Sequence, residues 1–298
     1  MDTYVRAFAH LGESRLESST VLPDTPSGDS LTLVFTLAGF RMMAINAGPY
    51  FHPNPSISFF VNFDPARDPD ARGHLDDLWA VLSAGGQVLM ELGEYPFSSH
   101  YGWVQDRFGV SWQLILSDPG GEERPLVIPS LLFTGAQAGR AREARDFWMS
   151  VFEDSREGLT AFYPAGMEPE AEGSLMFADF TLAGQWFTVA DSHLDHPFSF
   201  DEGVSLLVEC EDQAEIDRLW QAMSAVPEAE QCGWLKDWFG VSWQISPAEL
   251  DEMLATGTPD QIGRVTRAFL PMHKLEIEPL RAAWEGRPRG GPQGDSSR

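Results

Sequence analysis

The sequence predicts an α+β fold built from two copies of one module followed by helices, and three observations support this prediction. The segment GWVQDRFGVSWQ at 102–113 recurs as GWLKDWFGVSWQ at 233–244, with nine of twelve positions identical. The pentapeptide FTLAG occurs at 35–39 and again at 180–184, in the same order along the chain. After residue 246 the pattern becomes helical. Because a repeated segment order indicates a repeated structural unit, the repeat determines the fold class.

Each copy shows the same succession of hydrophobic patterns. A helix comes first, then two strands around a turn rich in Pro and Gly, with FTLAG at the next turn. The alternating segments ISFFVNFD at 57–64 and VSLLVECE at 204–211 predict a further strand in each copy. A second helix has apolar residues at Leu75, Leu78 and Leu82, and GVSWQ forms the last strand. We therefore predict two tandem βαβββ modules that pair into a pseudo-symmetric cup.

The predicted boundaries follow from the repeat. The first module spans 1–118, the second 126–247, a helical extension 248–285 and a Gly- and Pro-rich disordered tail 286–298. The first copy is longer, and we read its extra residues around QVLMELGEYPFSSHY as a loop insertion. In the extension, SPAE at 246–249 and TPDQ at 258–261 are predicted capping boxes at helix starts.

The second copy begins with PLVIPSLLF, and the first copy has no counterpart of this segment. The first module is therefore predicted to lack its first strand and to leave a bare sheet edge. A homodimer could cover that edge. A non-catalytic module that binds a partner protein is accordingly one of the functions that the sequence leaves open.

Composition excludes several classes of function. The chain has 45 Asp and Glu against 20 Lys and Arg, for a net charge of -25. Such a surface repels phosphate backbones and anionic lipids, so we expect neither nucleic acid nor a membrane as a partner. Two cysteines are too few for a disulfide framework, and the N-terminus has no signal-peptide pattern. We therefore expect a cytoplasmic protein.

Strand alternation separates a polar face from an apolar one. In GVSWQL, Val110, Trp112 and Leu114 share the face that should pack under helices, and the hydroxyl and amide side chains share the other. A hollow with a few polar groups suits a small ligand, although the same groups could instead face water or bond to one another. The candidates for the ligand cavity are Ser58, Asn62, Ser111, Gln113, Ser205, Glu209, Ser242 and Gln244.

The segments CGWLKDWFGVSWQ, DRLWQAMSA, FTLAG and RVTRAFLPMHKLEIEPLRAAW resemble the PhnB-like branch of the vicinal oxygen chelate superfamily, which includes glyoxalase-like proteins. The resemblance covers residues 3 to about 285 and implies the βαβββ fold. It also implies, as an alternative function, a metal-dependent lyase, isomerase or dioxygenase. Some relatives carry a ubiquinone methyltransferase label, but this sequence has no Gly-rich turn between a strand and a helix to hold S-adenosylmethionine.

In metal-dependent relatives the last strand of each module presents a Glu, and the resemblance places Gln113 and Gln244 at that position. The first strand of the second copy offers VIPS at 127–130, with no good metal ligand. We therefore predict a small-molecule binding site with no metal and no other cofactor, and leave open whether the protein is catalytic. The alternative, a divalent metal ion, would draw on Gln113, Gln244, Glu209 and the loop histidines His193 and His196.

Overall fold

In the computed structural model, residues 1–46, 48–118 and 120–287 are described. Most of the tail predicted at 286–298 lies outside the described residues. The first repeat contains α1 (Asp2–Phe8), β1 (Arg15–Thr25), β2 (Gly28–Leu37), β3 (Phe40–Ile45), β4 (Ile57–Phe63), α2 (Ala71–Ser83), β5 (Gln87–Tyr95), β6 (Ser98–Gln105) and β7 (Ser111–Leu116).

The second repeat contains β8 (Val127–Phe133), α3 (Ala141–Val151), β9 (Arg156–Phe162), β10 (Leu175–Leu182), β11 (Gln185–Asp191), β12 (Leu206–Cys210), α4 (Gln213–Met223), β13 (Trp234–Lys236) and β14 (Ser242–Pro247). Two short 3-10 helices lie at Gly135–Gln137 and Pro227–Ala229. Three helices complete the described chain: α5 (Ala248–Thr256), α6 (Pro259–Phe269) and α7 (Ile277–Glu285). Each repeat is thus longer than a single βαβββ motif.

Two complete βαβββ motifs follow each other in the chain and share one sheet. The first is β4-α2-β5-β6-β7 and the second is β8-α3-β9-β10-β11. Their strands form an eight-stranded sheet in the order β5-β6-β7-β4-β8-β11-β10-β9. At its centre β8 pairs antiparallel with β4 and parallel with β11. The remaining strands form two separate three-stranded sheets, β1-β2-β3 and β12-β14-β13. The predicted α+β class is confirmed.

The chain divides into two compact units, and their boundaries do not coincide with those of the two sequence repeats. Unit 1 comprises Met1–Leu16, Phe35–Met42 and Phe51–Val204, which includes the whole eight-stranded sheet. Unit 2 comprises Glu17–Val34, Met43–Tyr50 and Ser205–Arg298.

The core of unit 1 lies between its sheet and its helices. Leu75 and Leu78 of α2 pack in one apolar cluster with Val61, Trp112 and Leu114 of the sheet. These sheet residues alternate with the polar ones, so the apolar face of the predicted strands is the face that α2 covers. The helix α3 covers the same face further along, where Trp148 stacks on Phe180 at 6.4 Å.

The core of unit 2 is formed largely by the C-terminal helices, which lie where the sequence predicts them. Their shared cluster includes Leu250, Val265 and Leu280. The predicted capping box at 258–261 is present, with Thr258 and Gln261 bonded reciprocally. The one predicted at 246–249 does not form, because β14 runs on to Pro247 and Glu249 pairs with Arg281 instead.

The extra residues of the first repeat are a second difference from the prediction. The segment read as a loop insertion contains β5, which pairs antiparallel with β6 as the edge of the eight-stranded sheet. Three register shifts interrupt this pairing, and the strand is largely exposed, so its sequence lacks the regular alternation that identifies a strand. Among the described residues, no helix is both long enough and apolar enough to cross a membrane.

Candidate ligand-binding site

A row of polar side chains crosses six strands of the sheet of unit 1. Residues that lie directly opposite each other on paired strands point to the same face. Register pairs connect Gln105 to Ser111, Ser111 to Ser58, Ser58 to Ser130, Ser130 to Thr188 and Thr188 to Asp179. We call these six residues the polar row. Because Trp112 and Val61 occupy alternate positions and pack under α2, the polar row lies on the face opposite to the helices.

Five members of the polar row are buried, so their side chains need hydrogen-bond partners, and Gln105 is half-buried. Ser58 is 1% exposed, Ser111 0% and Thr188 3%. Burying a hydroxyl without a hydrogen bond costs about 1–3 kcal/mol in proteins. Ser111 meets this need by accepting a hydrogen bond from Trp103 Nε1 at 2.7 Å.

Gln113 joins the polar row to a buried tyrosine. Its Nε2 donates to Ser58 Oγ at 2.7 Å, and its Oε1 accepts from the Tyr101 hydroxyl at 2.6 Å. Burial, followed by the nearby Tyr95, raises the pKa of Tyr101, so this phenol stays a neutral donor. Both ends of the Gln113 amide are therefore held, and its orientation is fixed.

Thr188 differs from Ser58 and Ser111 in this respect. Its Oγ1 is buried and has no hydrogen-bond partner among the described residues. Most buried polar atoms in proteins have a partner, so an unpartnered hydroxyl calls for an explanation such as a water molecule or a ligand. Its neighbours in the polar row, Ser130 and Asp179, lie on either side.

Aromatic rings adjoin the Gln113 end of this face. Phe60, in register with Gln113, lies 6.2 Å from Phe177 and 6.4 Å from Tyr101, between ring centroids. Tyr101 also meets Phe97 edge-on at 5.0 Å, and Phe97 is 60% exposed. A continuous set of rings therefore leads from the surface to the amide of Gln113.

A charged pair closes the other end of the polar row. Arg124 Nε donates to Asp179 Oδ2 at 2.8 Å, and the second carboxylate oxygen accepts from the backbone N–H of Leu159. The guanidinium of Arg124 lies 3.8 Å from the ring centroid of Trp186, a cation–π arrangement. Because Asp179 is paired in this way, its negative charge is balanced by the guanidinium of Arg124.

The structure brings together only some of the predicted cavity residues. Ser58, Ser111 and Gln113 lie within one network in unit 1, whereas Asn62 donates to the backbone carbonyl of Pro125 at 3.0 Å. In unit 2 the same contact recurs, because Gln244 Nε2 donates to Ser205 Oγ at 2.8 Å. Ser242 is buried in the strand that holds Gln244, and Glu209 is exposed opposite Ser246.

Sequence reasoning missed Ser130, Thr188, Asp179 and Tyr101. Ser130 sits in the sequence VIPSLLF, whose apolar run hides its alternation. The polar row depends on which strands are neighbours and in which register, and a single sequence does not contain that information. The signal available was the position of Ser130, Thr188 and Asp179 as polar residues with apolar neighbours on both sides in the sequence.

The two loop histidines are held by neighbouring side chains. His193 Nδ1 lies 3.1 Å from Glu170 Oε2, and His196 Nε2 lies 2.9 Å from Ser192 Oγ. Burial lowers the pKa of His196, which favours its neutral form. Glu170 also accepts from Ser192 Oγ at 3.1 Å, so the carboxylate and both rings form one local network.

The residues at the position of the metal ligand do not fit a divalent ion. Gln113, Ser58 and Tyr101 are neutral groups already bonded to one another, whereas zinc and other transition metals in proteins are usually held by carboxylate, imidazole or thiolate donors. Across residues 1–46, 48–118 and 120–287, no three His, Cys, Asp or Glu side chains are grouped so that they could hold a metal ion.

The fold is that of the vicinal oxygen chelate superfamily. Glyoxalase I from Zea mays superposes with a TM-score of 0.51 at 12% identity, over 86% of this chain and 91% of that one. The PhnB protein from Bacillus cereus is 35% identical over 40% of this chain and 96% of its own, with a TM-score of 0.35. A comparison with curated protein sequences finds no match.

The family follows from the sequence itself. The family model described as 3-demethylubiquinone-9 3-methyltransferase matches residues 1–115 and 125–246, which is most of the chain. The chain belongs to this PhnB-like family, as the repeated GW…SWQ segments indicate.

Proposed function

We propose that unit 1 binds a small organic molecule on the face that carries the polar row, without a metal ion. The observation that supports this most directly is the buried Thr188 hydroxyl, which has no partner among the described residues. A ligand atom that accepts or donates a hydrogen bond there would remove the cost of leaving this group unpaired.

The side chains on this face indicate the chemistry of the ligand. They are hydroxyls, the amides of Gln105 and Gln113 and the carboxylate of Asp179, and aromatic rings flank the Gln113 end. The cation nearest to the row, Arg124, is paired with Asp179 and stacked on Trp186. We therefore expect a neutral, partly apolar molecule with a carbonyl or hydroxyl group, and we expect it to enter past the exposed ring of Phe97.

A thermal-shift screen of neutral metabolites tests this proposal, with two matched variants. Thr188→Val removes the hydroxyl and preserves the shape of the side chain. Thr266→Val makes the same change in α6, where Thr266 Oγ1 is also buried without a described partner. Ligands that stabilise the wild type should stabilise Thr266→Val equally and Thr188→Val clearly less. Equal stabilisation of both variants would remove the polar row from the site.

The metal-free part of the proposal has a separate test. The protein is purified without added metal or a nickel column, dialysed against micromolar zinc, manganese and iron, and analysed for its elements. We expect no retained metal, because the donors at Gln113 are neutral. Retention of about one divalent ion per chain would contradict this part and revive the metal-dependent lyase, isomerase or dioxygenase.

The proposal also covers the location of the protein in the cell and the partners that it does not bind. We expect the protein not to bind nucleic acid, since the net charge of -25 repels phosphate backbones. We also expect it to work in the cytoplasm, since two cysteines are too few for a disulfide framework.

A further inference from the structure

Two arginine side chains of unit 1 lie over the same tryptophan ring. The guanidinium carbon of Arg124 is 3.8 Å from the ring centroid of Trp186, and that of Arg156 is 4.8 Å away. Both distances are in the range of a cation–π contact. Trp186 is 8% exposed, so a buried ring positions both charged groups.

The sheet of unit 1 determines where these groups lie. Arg156 of β9 is in register with Thr181 of β10, and Thr181 is in register with Trp186 of β11. Because Thr181 comes two residues after Asp179 of the polar row, these side chains share its face of the sheet, one step further along the strands. The two arginines therefore adjoin the polar row without belonging to it.

One carboxylate bridges the two guanidiniums. Glu122 Oε1 accepts a hydrogen bond from Arg156 Nη1 at 2.8 Å, and Glu122 Oε2 lies 3.1 Å from Arg124 Nη1. Arg156, followed by Arg124, lowers the pKa of the Glu122 carboxyl, so this group is ionised at neutral pH. Each oxygen of one planar carboxylate thus serves one guanidinium, and carboxylates are among the groups that guanidiniums recognise best.

The bridging anion is needed because two like charges are held over one ring. Like charges repel each other, and the repulsion grows where water is excluded. The side chain of Arg124 is only 12% exposed, and Asp179 Oδ2 pairs with it at 2.8 Å. Asp179 therefore balances one of the two positive charges, and one further negative charge makes the group neutral. Glu122 supplies that charge.

The Glu122 carboxylate is a weakly held occupant of this position. Its side chain is 53% exposed, and exposed ion pairs contribute little to stability because water and salt screen them. It belongs to the segment between β7 and β8 and directly follows Gly120 and Gly121, which allow more backbone conformations than other residues. A carboxylate from solution can therefore replace Glu122 without any change in the sheet.

We propose that Arg124, Arg156 and Trp186 form a second binding site, the arginine site, which takes the carboxylate group of a small molecule in place of Glu122. The bound carboxylate makes the same two contacts, with one oxygen for each guanidinium, and keeps the group neutral. Glu122 is then an internal competitor that occupies the site when no ligand is bound. The arginine site goes beyond the neutral ligand proposed for the polar row and does not depend on it.

Benzoate and benzamide test the arginine site as a matched pair of probes. The two molecules have nearly the same shape, and only benzoate carries a charge. Each is titrated into the full-length protein by isothermal titration calorimetry at constant ionic strength. We expect benzamide to bind at least about tenfold more weakly than benzoate, because a charged acceptor makes the stronger hydrogen bond with a guanidinium.

Removal of the internal carboxylate should strengthen binding. Glu122→Gln keeps the size of the side chain, and we expect it to bind benzoate at least about tenfold more tightly than the wild type, because a tethered competitor is lost. Glu123→Gln is the matched control, since it changes the net charge equally at the next residue, whose carboxylate pairs with Arg67. This control should bind benzoate like the wild type. A purely structural role for Glu122 predicts no gain in affinity.

The cations are tested in the same titration. Arg156→Gln should weaken benzoate binding at least about tenfold, because one of the two donors is lost. Arg142→Gln is its control, since it removes another exposed cation that lies over a ring, that of Phe162, and it should bind like the wild type. Thr188→Val should also bind benzoate like the wild type, so the arginine site and the polar row can each fail without the other.

Four results would overturn the proposal. The first is no binding of benzoate to Glu122→Gln, in which the competitor is gone. The second is an equal gain in Glu122→Gln and Glu123→Gln, because only net charge would then matter. The third is equal binding of benzoate and benzamide, or full benzoate binding by Arg156→Gln. The fourth is a gain in Glu122→Gln for inorganic phosphate and not for benzoate, which would contradict the assignment to carboxylates.

Discussion

Strands β4 and β12 come from matching segments of the repeat, yet they lie in different surroundings. In unit 1, β4 runs between β7 and β8 in the middle of eight strands. In unit 2, β12 pairs with β14 on one side and forms an edge. The Gln–Ser contact is the same in both, at 2.7 Å in unit 1 and 2.8 Å in unit 2, but only the unit 1 contact is enclosed. The repeat therefore determines the local contacts, whereas burial depends on the neighbouring strand.

The largest effects should appear where the two copies are alike. Asp106 accepts hydrogen bonds from Phe108 N, Val110 N and Trp112 Nε1, and Asp237 accepts from the three matching groups. Replacing either by Ala leaves buried donors unpaired, so we expect each variant to lower the free energy of unfolding by about 3 kcal/mol.

Chemical denaturation with a common slope measures both losses. Asp106→Ala should lose somewhat more stability than Asp237→Ala. The reason is that it also leaves the Tyr4 hydroxyl, which donates to Asp106 at 2.6 Å, without this acceptor. A small loss for Asp237→Ala beside a large loss for Asp106→Ala would show that the turns are not equivalent, which would break the comparison at its best-matched point.

Replacing Gln113 and its counterpart Gln244 should cost different amounts of stability in the two copies. Gln113→Leu leaves Tyr101 and Ser58 without their partner in a buried place, and we expect a loss of about 2 kcal/mol. Gln244→Leu removes one contact from a half-buried site, and about 1 kcal/mol should be lost. Thermal and urea unfolding of the two variants provide the test, and equal losses would mean that the unit 2 contact is as enclosed as its counterpart.

A smaller difference is expected from a single apolar position. Val61 of β4 is fully buried, and Val208 at the matching place in β12 is half-buried. We expect Val61→Ala to cost about 1.5 kcal/mol and Val208→Ala about 0.5 kcal/mol, because less surface and less cavity are involved. If Val208→Ala were as costly as Val61→Ala, the exposure of β12 would be in doubt.

At the end of β12 we expect the thiol of Cys210 not to react with an alkylating reagent. Cys210 is fully buried, as Phe63 is at the matching place, and burial raises the pKa of its thiol to about 12. Alkylation at pH 8 should therefore leave Cys210 unmodified until the protein unfolds, since the thiolate is the reactive form. Peptide mass analysis of the native protein decides this, and rapid labelling would show that the whole of β12 is open.

Much of the fold could be predicted because its signals are local. The repeat, the alternation around Trp112 and the cap at Thr258 each depend on residues a few positions apart. Two local predictions were wrong: the cap at Ser246 is absent because β14 extends through it, and β5 was read as a loop. In both cases pairing with another strand overrode the local pattern.

The candidate site was harder to predict than the fold. Ser58 and Gln113 were found by alternation within their own strands. Thr188 and Asp179 were not, because they enter the polar row through β8, β10 and β11 in a register that one sequence does not reveal. A ligand for these residues stays a prediction.

Hydrogen–deuterium exchange of the free protein tests the central comparison most directly. If β8 is what distinguishes the two regions, backbone amides of 57–63 and 185–191 should exchange at least about a hundredfold more slowly than those of 204–210 and 40–46. Equal and slow exchange in all four segments would contradict a special role for β8, because the edges of β3 and β12 would then be protected as well.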